Sequence, residues 1–331
     1  MGLLIKGQWH DQWYDTEGND GAFVREDAQL RNWITASGEA GPGGKAGFKA
    51  ETGRYHLYVS YACPWAHRTL IFRELKKLTE HISVSVVSPD MFEHGWTFDQ
   101  TAGSSGDDLY GLQYLHQIYT RNKADYSGRV TVPVLWDKQQ QCIVSNESSE
   151  IIRMFNSAFN DLTGDQQDFY PAELQTDIDA INERIYHNVN NGVYKAGFAT
   201  SQDKYEQAFE QLFITLDELE QRLTEQRWLV ADSHGNSRLT EADWRLFTTL
   251  VRFDAVYVGH FKCNRQRIAD YPALSGYLAD LYHQPGVADT VFFDHIKRHY
   301  YASHKHINPT GIVPVGPQLT FQQQTGRASL A

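Results

Sequence analysis

A strand–helix–strand pattern between residues 54 and 87 limits the possible folds of this chain more than any other feature. Residues 54–60 alternate polar and apolar side chains, as β-strands do, and residues 81–87 alternate in the same way. Between them, residues 64–78 carry apolar side chains at helical spacing, and Pro64 suits a first helical turn. Two strands joined through a helix form the unit of a parallel sheet. The sequence therefore predicts an α/β domain here.

The α/β pattern continues to about residue 156 and then gives way to helices. Strands are predicted at residues 130–136 and 142–145, followed by a helix from about 148 to 156. Further helices are predicted at residues 172–192, 202–226, 240–256 and 271–283. The third of these begins with a capping box formed by Thr240 and Asp243. A length of 331 residues agrees with two domains, so we expect an α/β domain followed by an all-α domain.

The expected organisation of the chain has four parts. The first 53 residues are rich in Gly and Trp, and their aromatic side chains indicate docking rather than disorder. The Gly- and Asp-rich stretch 88–128 is interpreted as an active-site insertion. The expected boundaries are 1–53 for an N-terminal extension packed on the body, 54–160 for the α/β domain, 170–316 for the helical domain and 317–331 for a loosely ordered C-terminal tail.

Composition and charge exclude several classes of function. The formal net charge of −11 argues against nucleic acid as a partner, because phosphate binding needs a basic face. No apolar run approaches the roughly 20 residues that span a bilayer, and the pattern of the first six residues is not the one expected of a signal peptide. Three cysteines are too few for a disulfide framework or a zinc cage. We therefore expect a cytoplasmic protein with neither membrane nor nucleic-acid partners.

Cys63 lies where the first strand is predicted to end and the first helix to begin. A thiol there faces the positive end of the helix dipole and unpaired backbone N–H groups, which stabilise the thiolate. We therefore predict that Cys63 is a nucleophile with a depressed pKa, and that His67 and Arg68 add positive character. Because Ala66 replaces the second cysteine of a C-x-x-C pair, turnover needs an external thiol. The alternative is a buried structural cysteine.

Two further motifs are candidates for ligand binding. Pro133 at the start of a predicted strand indicates either an edge strand or a cis Val132–Pro133 bond, which leaves the Val132 backbone free to pair with an extended ligand. Glu147 and Ser148 precede a predicted helix, where they can cap it and also offer N–H groups to a carboxylate. Glu147 is in addition a possible partner for a ligand ammonium group. The capping and binding interpretations of that motif are compatible.

Histidines cluster near the C-terminus, at positions 295, 299, 304 and 306. No Glu completes an H-E-x-x-H motif, and Lys297, Arg298 and Lys305 repel a cation. We therefore expect no metal site. The two remaining cysteines, Cys142 and Cys263, are expected to be passive.

Longer strings around these motifs point to a family. They are Tyr58–Arg68, Gly95–Phe98, Arg129–Trp136, Ser145–Ser148 and Asn190–Lys195. Together they resemble the glutathionyl-hydroquinone reductases, which are the xi class of glutathione transferases. The resemblance extends from about residue 3 to residue 316. It implies the glutathione transferase fold, in which a thioredoxin-like, glutathione-binding domain is followed by an all-helical substrate domain.

The resemblance also implies roles for particular residues. Cys63 is the expected nucleophile and Tyr194 the expected proton donor, while Tyr257 and Tyr300 are expected to line the hydroquinone side. The residues expected to bind glutathione are Trp96, Arg129, Val130, Thr131, Val132, Pro133, Glu147 and Ser148. Glutathione is then the co-substrate, no metal is required and the chain is expected to form a homodimer.

The activity that the resemblance implies is reductive cleavage of the C–S bond of glutathionyl-hydroquinones. Cys63 would attack the glutathione sulfur, Tyr194 would protonate the ring carbon, and a second glutathione would cleave the mixed disulfide to give oxidised glutathione. One alternative is a broader monothiol reductase of glutathionyl mixed disulfides or dehydroascorbate. Another is a non-catalytic, glutathione-transferase-like binding scaffold. The tyrosine set favours a phenolic substrate, and the presence of Cys63 argues against the scaffold.

Overall fold

The computed structural model describes residues 2–323 and 325–330. These residues form two compact units, each assembled from three stretches of chain. The first unit contains the residues up to Trp13, Glu26–Gln167 and Asp289–Val313. The second contains Tyr14–Arg25, Asp168–Ala288 and the residues from Pro314 onward. The domain ranges expected from the sequence divide the chain differently, and they stay a prediction.

The secondary-structure elements alternate in the first half of the chain and are mostly helical in the second. The strands, in chain order, are β1 (Leu3–Ile5), β2 (Gln8–His10), β3 (Tyr55–Val59), β4 (Ser83–Val86), β5 (Gly128–Arg129), β6 (Val134–Asp137), β7 (Cys142–Ser145), β8 (Val230–Ala231) and β9 (Ser237–Arg238). The helices are α1 (Pro64–Leu75), α2 (His116–Asn122), α3 (Ser148–Ser157), α4 (Asn160–Thr163), α5 (Gln175–Ile185), α6 (Gly192–Phe198), α7 (Gln202–Glu225), α8 (Glu241–Arg252), α9 (Pro272–Tyr282) and α10 (Phe293–Ser303). None of the helices so described is long and apolar enough to cross a membrane.

A four-stranded sheet in the order β4-β3-β6-β7 is the main sheet of the first unit. β3 pairs in parallel with β4 and antiparallel with β6, and β6 pairs antiparallel with β7. Because α1 connects β3 to β4, the predicted strand–helix–strand unit is confirmed. All five residues of β3 are buried, as expected for an inner strand that is covered on both faces. Cys63 lies four residues after the end of this strand, at the turn that leads into α1, so the sheet helps to position the predicted nucleophile.

The third strand of this sheet begins later than the sequence predicts. β6 starts at Val134, whereas the prediction starts at residue 130. Pro133 has no N–H group to donate to a ladder. Arg129 pairs instead with Leu3, in a second sheet of order β2-β1-β5. The prediction was therefore right for residues 134–136 and wrong for residues 130–133, which form no strand between β5 and β6.

N-terminal residues contribute to the core of the first unit. β1 lies between β2 and β5, and the Asn32 N–H group donates to the Val144 carbonyl oxygen at 2.8 Å. Leu4 and Ile34 are fully buried. These contacts attach residues before the first predicted strand to the edge strand β7 and to the segment that precedes β6.

Helices α5 to α9 make up most of the second unit. α7 packs against α6 and α9. The predicted capping box at the start of α8 is confirmed, since the Thr240 hydroxyl accepts from the Ala242 N–H group and the Asp243 carboxylate accepts from the Thr240 N–H group at 2.8 Å. α8 ends at Arg252, earlier than predicted, because the backbone continues as a π-helical turn, Phe253–Tyr257.

One side chain of the described C-terminal tail is buried, and the expectation that this tail is loosely ordered stays a prediction. The Arg327 side chain is 5% exposed, and its guanidinium donates to the carbonyl oxygens of Leu223, Gln226 and Arg227 at 2.8–2.9 Å. These carbonyl groups lie at the C-terminal end of α7, where carbonyl oxygens no longer have an N–H partner within the helix. This buried cation attaches the tail to the second unit, and Phe321 adds a stacking contact with Tyr282 at a centroid distance of 4.2 Å.

Helix α10 belongs to the first unit, although it follows the helical half of the chain in sequence. The Arg298 guanidinium pairs with the Asp90 carboxylate at 2.6 Å, and the Ser303 hydroxyl accepts from the Met91 N–H group at 3.0 Å. The sequence did not predict this helix, whose buried residues, Ile296, His299 and Tyr300, include a histidine and a tyrosine. The two contacts attach α10 to the segment that follows β4.

Candidate active site

Cys63 is the N-cap residue of α1. Its backbone is extended, and its carbonyl oxygen accepts a helical hydrogen bond from the His67 N–H group at 3.0 Å. Pro64 occupies the first turn, as predicted. The Sγ atom lies 3.6 Å from the carbonyl oxygen of Val132, and the residue is partly exposed. The thiol is therefore accessible at the positive end of a helix, a position that stabilises a thiolate.

The environments of the other two cysteines disfavour reactivity. Burial raises the pKa of Cys142 to about 11, and the nearby Asp137 carboxylate adds to the effect. Cys263 is fully buried, and this burial raises the pKa of its thiol as well. A raised pKa leaves less of the reactive thiolate at neutral pH. Cys63 is thus the cysteine whose position favours a thiolate.

The Val132–Pro133 peptide bond is cis, which confirms the prediction. Val132 is 4% exposed, and its N–H group has no hydrogen-bond partner within the described residues. Its carbonyl oxygen is the group that faces Cys63 Sγ. The preceding residue is held by Tyr119, whose hydroxyl donates to the Thr131 carbonyl oxygen at 2.9 Å. A backbone segment suited to pairing with a peptide-like ligand is therefore held beside the sulfur.

Glu147 is the N-cap residue of α3, so the capping interpretation of this motif is confirmed. Its carboxylate accepts from the Ser149 N–H group at 2.9 Å. Ser148 is 3% exposed, and its hydroxyl accepts from the Arg68 guanidinium at 3.5 Å. Arg68 is itself 1% exposed and lies 4.5 Å from the centroid of the Trp65 ring. A buried cation therefore adjoins the helix end at which the sequence predicts carboxylate binding.

Two residues that the sequence singles out make contacts with other parts of the first unit. His67 is fully buried, and its Nε2 atom lies 2.8 Å from the hydroxyl of Thr290. Arg129 donates to the Glu26 carboxylate at 3.1 Å and to the Gln12 carbonyl oxygen at 2.5 Å. Arg129 thus contacts N-terminal residues, and its role in binding glutathione stays a prediction.

Trp96 lies between β4 and α2 and is 4% exposed. Its indole stacks on the ring of His299, with the ring centroids 4.8 Å apart. The Nδ1 atom of His299 donates to the Pro89 carbonyl oxygen at 2.9 Å. The sequence assigns His299 to a solvated or core histidine cluster and does not predict this contact, because no local pattern links two such distant segments. Over residues 2–323 and 325–330, no group of three His, Cys, Asp or Glu side chains is placed to hold a metal ion.

The three predicted tyrosines belong to different units. Tyr300 lies in α10 of the first unit, is 1% exposed and contacts the ring of His299 at a centroid distance of 5.3 Å. In the second unit, Tyr194 of α6 and Tyr257 of the π-helical turn have ring centroids 6.2 Å apart. The guanidinium of Arg25 lies 4.9 Å from the centroid of the Tyr194 ring. Arg25 carries no sequence signal, since it lies in the weakly patterned N-terminal stretch.

Comparisons with known proteins identify the family of this chain. Residues 62–158 match the glutathione S-transferase N-terminal domain, and residues 202–280 match the glutathione S-transferase C-terminal domain. The chain is 58% identical to the glutathionyl-hydroquinone reductase YqjG of Escherichia coli, over 99% of this chain and 98% of that protein. It is 55% identical to the glutathionyl-hydroquinone reductase PcpF of Sphingobium chlorophenolicum, over 96% of each chain.

Solved structures of glutathione transferases are also similar to this chain. The glutathione-bound structure of YqjG from Escherichia coli K-12 matches with a TM-score of 0.91 at 55% identity and covers 99% of both chains. A xi-class glutathione transferase from Natrialba magadii matches with a TM-score of 0.89 at 45% identity, over 100% of this chain and 98% of that one. The predicted glutathione transferase fold is therefore confirmed. This chain belongs to the glutathionyl-hydroquinone reductases, the xi class of the glutathione transferase family.

Proposed function

We propose that this chain is a glutathione-dependent reductase that cleaves the C–S bond of glutathionyl-hydroquinones. In the balanced reaction, a glutathionyl-hydroquinone and one glutathione give the free hydroquinone and oxidised glutathione. The observation that carries the proposal is the partly exposed Cys63 thiol at the N-cap of α1, with Ala66 in the place of a second cysteine. The names of the relatives at 55% and 58% identity support the choice of substrate.

Glutathione is held in this proposal by Trp96, by residues 129–133 and by the start of α3. The Val132 backbone pairs with the cysteinyl unit and presents its sulfur to Cys63. Ser148 and the first N–H groups of α3 bind a carboxylate, and the Glu147 carboxylate binds the ammonium group. The buried charge of Arg68 beside Ser148 strengthens the carboxylate site, because charges are weakly screened in a protein interior.

The first chemical step is nucleophilic attack by the Cys63 thiolate on the sulfur of the glutathionyl group. A new S–S bond forms while the C–S bond to the ring breaks, and the bonding electron pair stays on the ring carbon. The helix N-terminus favours the attacking thiolate. The step leaves a mixed disulfide between Cys63 and glutathione.

The second step is protonation of the ring carbon by the Tyr194 hydroxyl, which acts as a general acid. The Arg25 guanidinium beside the Tyr194 ring stabilises the resulting phenolate. Tyr257 and Tyr300 bind the hydroquinone oxygens. A second glutathione then cleaves the mixed disulfide, releases oxidised glutathione and supplies the proton that restores Tyr194.

Intact-mass analysis tests the proposed reaction directly. Incubation with a glutathionyl-hydroquinone, without free glutathione, should add one glutathionyl group to the chain and release one hydroquinone. Added glutathione should then remove the adduct and produce oxidised glutathione. Cys63→Ser should form no adduct. A wild-type chain that releases no hydroquinone, or a serine variant that still does, would contradict the proposal.

The second candidate function is a broader reductase of glutathionyl mixed disulfides or dehydroascorbate. The single accessible thiol of Cys63 favours it, because disulfide exchange needs only a thiolate and an external thiol. A comparison decides between the two candidate functions: turnover rates on a glutathionyl mixed disulfide and on a glutathionyl-hydroquinone are measured with one preparation of the protein.

The family resemblance supports two further proposals, a homodimeric assembly and a cytoplasmic location. Size-exclusion chromatography with light scattering measures the mass of the assembly and tests the first. Fractionation of cells that express the chain, with detection by antibody, tests the second.

A further inference from the structure

We propose that His299 is a positioning residue, which fixes the ring of Trp96 in the orientation that binds glutathione. This inference deepens the proposed function and rests on it, because Trp96 is one of the residues proposed to contact glutathione. All of the groups involved belong to the first unit. His299 is itself 6% exposed, so it acts through Trp96.

The backbone on either side of Trp96 is already fixed without His299. The Trp9 indole N–H group donates to the Glu93 carbonyl oxygen at 2.8 Å. A Cβ atom on Gly95 would lie 2.6 Å from the Trp9 ring, so Trp9 packs closely against this backbone. The Trp96 carbonyl oxygen accepts from the Leu115 N–H group at 3.0 Å. The freedom that remains to Trp96 is therefore rotation of its side chain.

His299 removes this freedom by stacking on the indole. The two rings are nearly parallel, with an interplanar angle of 22° and a centroid distance of 4.8 Å. Offset stacking of this kind is favourable beyond the area that it buries. One face of the Trp96 ring is therefore covered by His299, and its orientation is set before any ligand arrives.

The orientation of the His299 ring is in turn fixed by a hydrogen bond. A carbonyl oxygen can only accept, so Nδ1 carries the proton that it donates to Pro89. Pro89 lies at the start of the segment that carries Trp96, and the Ser88 N–H group closes this segment by donating to the Thr97 carbonyl oxygen at 2.8 Å. His299 therefore contacts Pro89 near the start of this closed loop and Trp96 near its end.

The neighbours of His299 in α10 hold the helix against the same loop. Arg298 forms two hydrogen bonds with the Asp90 carboxylate, at 2.6 and 2.8 Å, and Ser303 accepts from the Met91 N–H group. The ring of His299 also contacts Tyr300, which is proposed to bind the hydroquinone. One helix thus supports a residue of the glutathione site and carries a residue of the hydroquinone site.

Binding of S-methylglutathione, measured by calorimetry in the Cys63→Ser background, tests the inference without catalysis. His299→Ala should raise the Kd by about three- to tenfold, the range expected when one ordered aromatic contact is lost. His299→Phe keeps a planar ring and should recover most of the affinity. His299→Gln keeps a donor for Pro89 but no ring, and should bind as weakly as alanine.

His295→Ala is the matched control, since His295 lies one turn earlier on α10 and its ring contacts Tyr61 at a centroid distance of 5.3 Å. It should leave the Kd unchanged. The decisive measurement is a double-mutant cycle with Trp96→Ala. If His299 acts through Trp96, His299→Ala should weaken binding in the presence of Trp96 and have no further effect in its absence.

Three outcomes overturn the inference: an unchanged Kd for His299→Ala, a phenylalanine variant as weak as alanine, or full additivity with Trp96→Ala. Circular dichroism of each variant shows whether it is folded, and the cycle is evaluated on folded variants. A failure of the proposed reductase function can be distinguished from a failure of this inference. A wild-type chain that binds S-methylglutathione but reduces no glutathionyl-hydroquinone contradicts the proposed function and leaves the role of His299 in place.

Discussion

The guanidinium of Arg25 lies 4.9 Å from the centroid of the Tyr194 ring. Its Nε atom donates to the side-chain oxygen of Asn191 at 2.8 Å, which holds the cation beside the start of α6. A cation against an aromatic ring is favourable in itself and favours the phenolate still more. In the proposed mechanism Tyr194 becomes a phenolate when it donates its proton, so this pair leads to two predictions.

Tyr194→Phe should slow turnover of a glutathionyl-hydroquinone by at least tenfold. A well-placed general acid contributes about 10²- to 10⁴-fold, or roughly 3–5 kcal/mol of barrier, and neighbouring tyrosines can supply part of it. Reduction of a small glutathionyl mixed disulfide should fall far less, because its leaving thiolate needs no carbon protonation. Steady-state rates on both substrates measure the difference. Equal losses would make Tyr194 a structural or glutathione-binding residue instead.

Arg25→Met should lower hydroquinone turnover by about three- to tenfold, as expected for loss of one cation–π contact. Methionine keeps the length of the side chain and removes its charge. Arg25→Lys retains a cation and should recover part of the rate, which separates charge from packing. If lysine and methionine reduce the rate equally, the charge of Arg25 has no part in the chemistry. The mixed-disulfide rate again serves as the internal reference.

Alkylation of Cys63 should follow a titration midpoint well below about 8.5, the value of a free cysteine. The reason is its position at the N-cap of α1, where the helix dipole favours the thiolate. Iodoacetamide labelling against pH, with the modified residue identified by mass spectrometry, gives the midpoint. Cys63→Ser should abolish reduction and leave the fold intact. A midpoint near the free value would refute the activated thiolate.

The stability of the fold should decrease as the pH falls from about 6.5 to about 4, in part because of His56. Burial lowers the pKa of His56 to about 4, whereas an unfolded histidine titrates near 6.5. Between these values the unfolded state binds more protons, so the free energy of unfolding falls as the pH is lowered. The contribution is on the order of 3 kcal/mol across the whole range.

Urea unfolding at a series of pH values measures this dependence. His56→Gln should flatten the curve between pH 4 and 6.5, since it removes the group whose folded pKa is low. His234→Gln, at an exposed position, is the control and should not alter the slope. An unchanged slope for His56→Gln would assign the acid sensitivity to other groups.

Arg327→Ala should lower the free energy of unfolding by about 1.5–3 kcal/mol, the range for hydrogen bonds that involve a charged group. The variant removes a buried guanidinium that donates to three carbonyl oxygens at the end of α7. Chemical denaturation gives the change. Arg238→Ala, at an exposed position, should have little effect. An unchanged free energy of unfolding for Arg327→Ala would mean that the hydrogen bonds of Arg327 do not stabilise the second unit.

The sequence alone determined those features of the protein that depend on interactions between residues close together in the chain. Alternation and helical spacing predicted β3, α1 and β4, and the change between the two patterns located Cys63 at a helix N-terminus. The cis bond before Pro133 and the capping box of Thr240 were predicted for the same reason. In each case the residues that interact are neighbours in the chain, so their spacing carries the information.

Tertiary structure alone decided which distant residues meet. Arg68 donates to Ser148, His299 stacks on Trp96, and Arg327 donates to a carbonyl oxygen in the last turn of α7. Nothing in the sequence spacing of these residues connects them. Such pairs form because a buried charge or ring must find a partner among the groups that packing brings within reach. The strand predicted at residues 130–136 begins only at Val134, and the residues just before it, Gly128–Arg129, pair in a second sheet, a pairing with distant residues that no local pattern specifies. Sequence periodicity determines which face of an element is buried, and the packing of the whole chain determines what that face contacts.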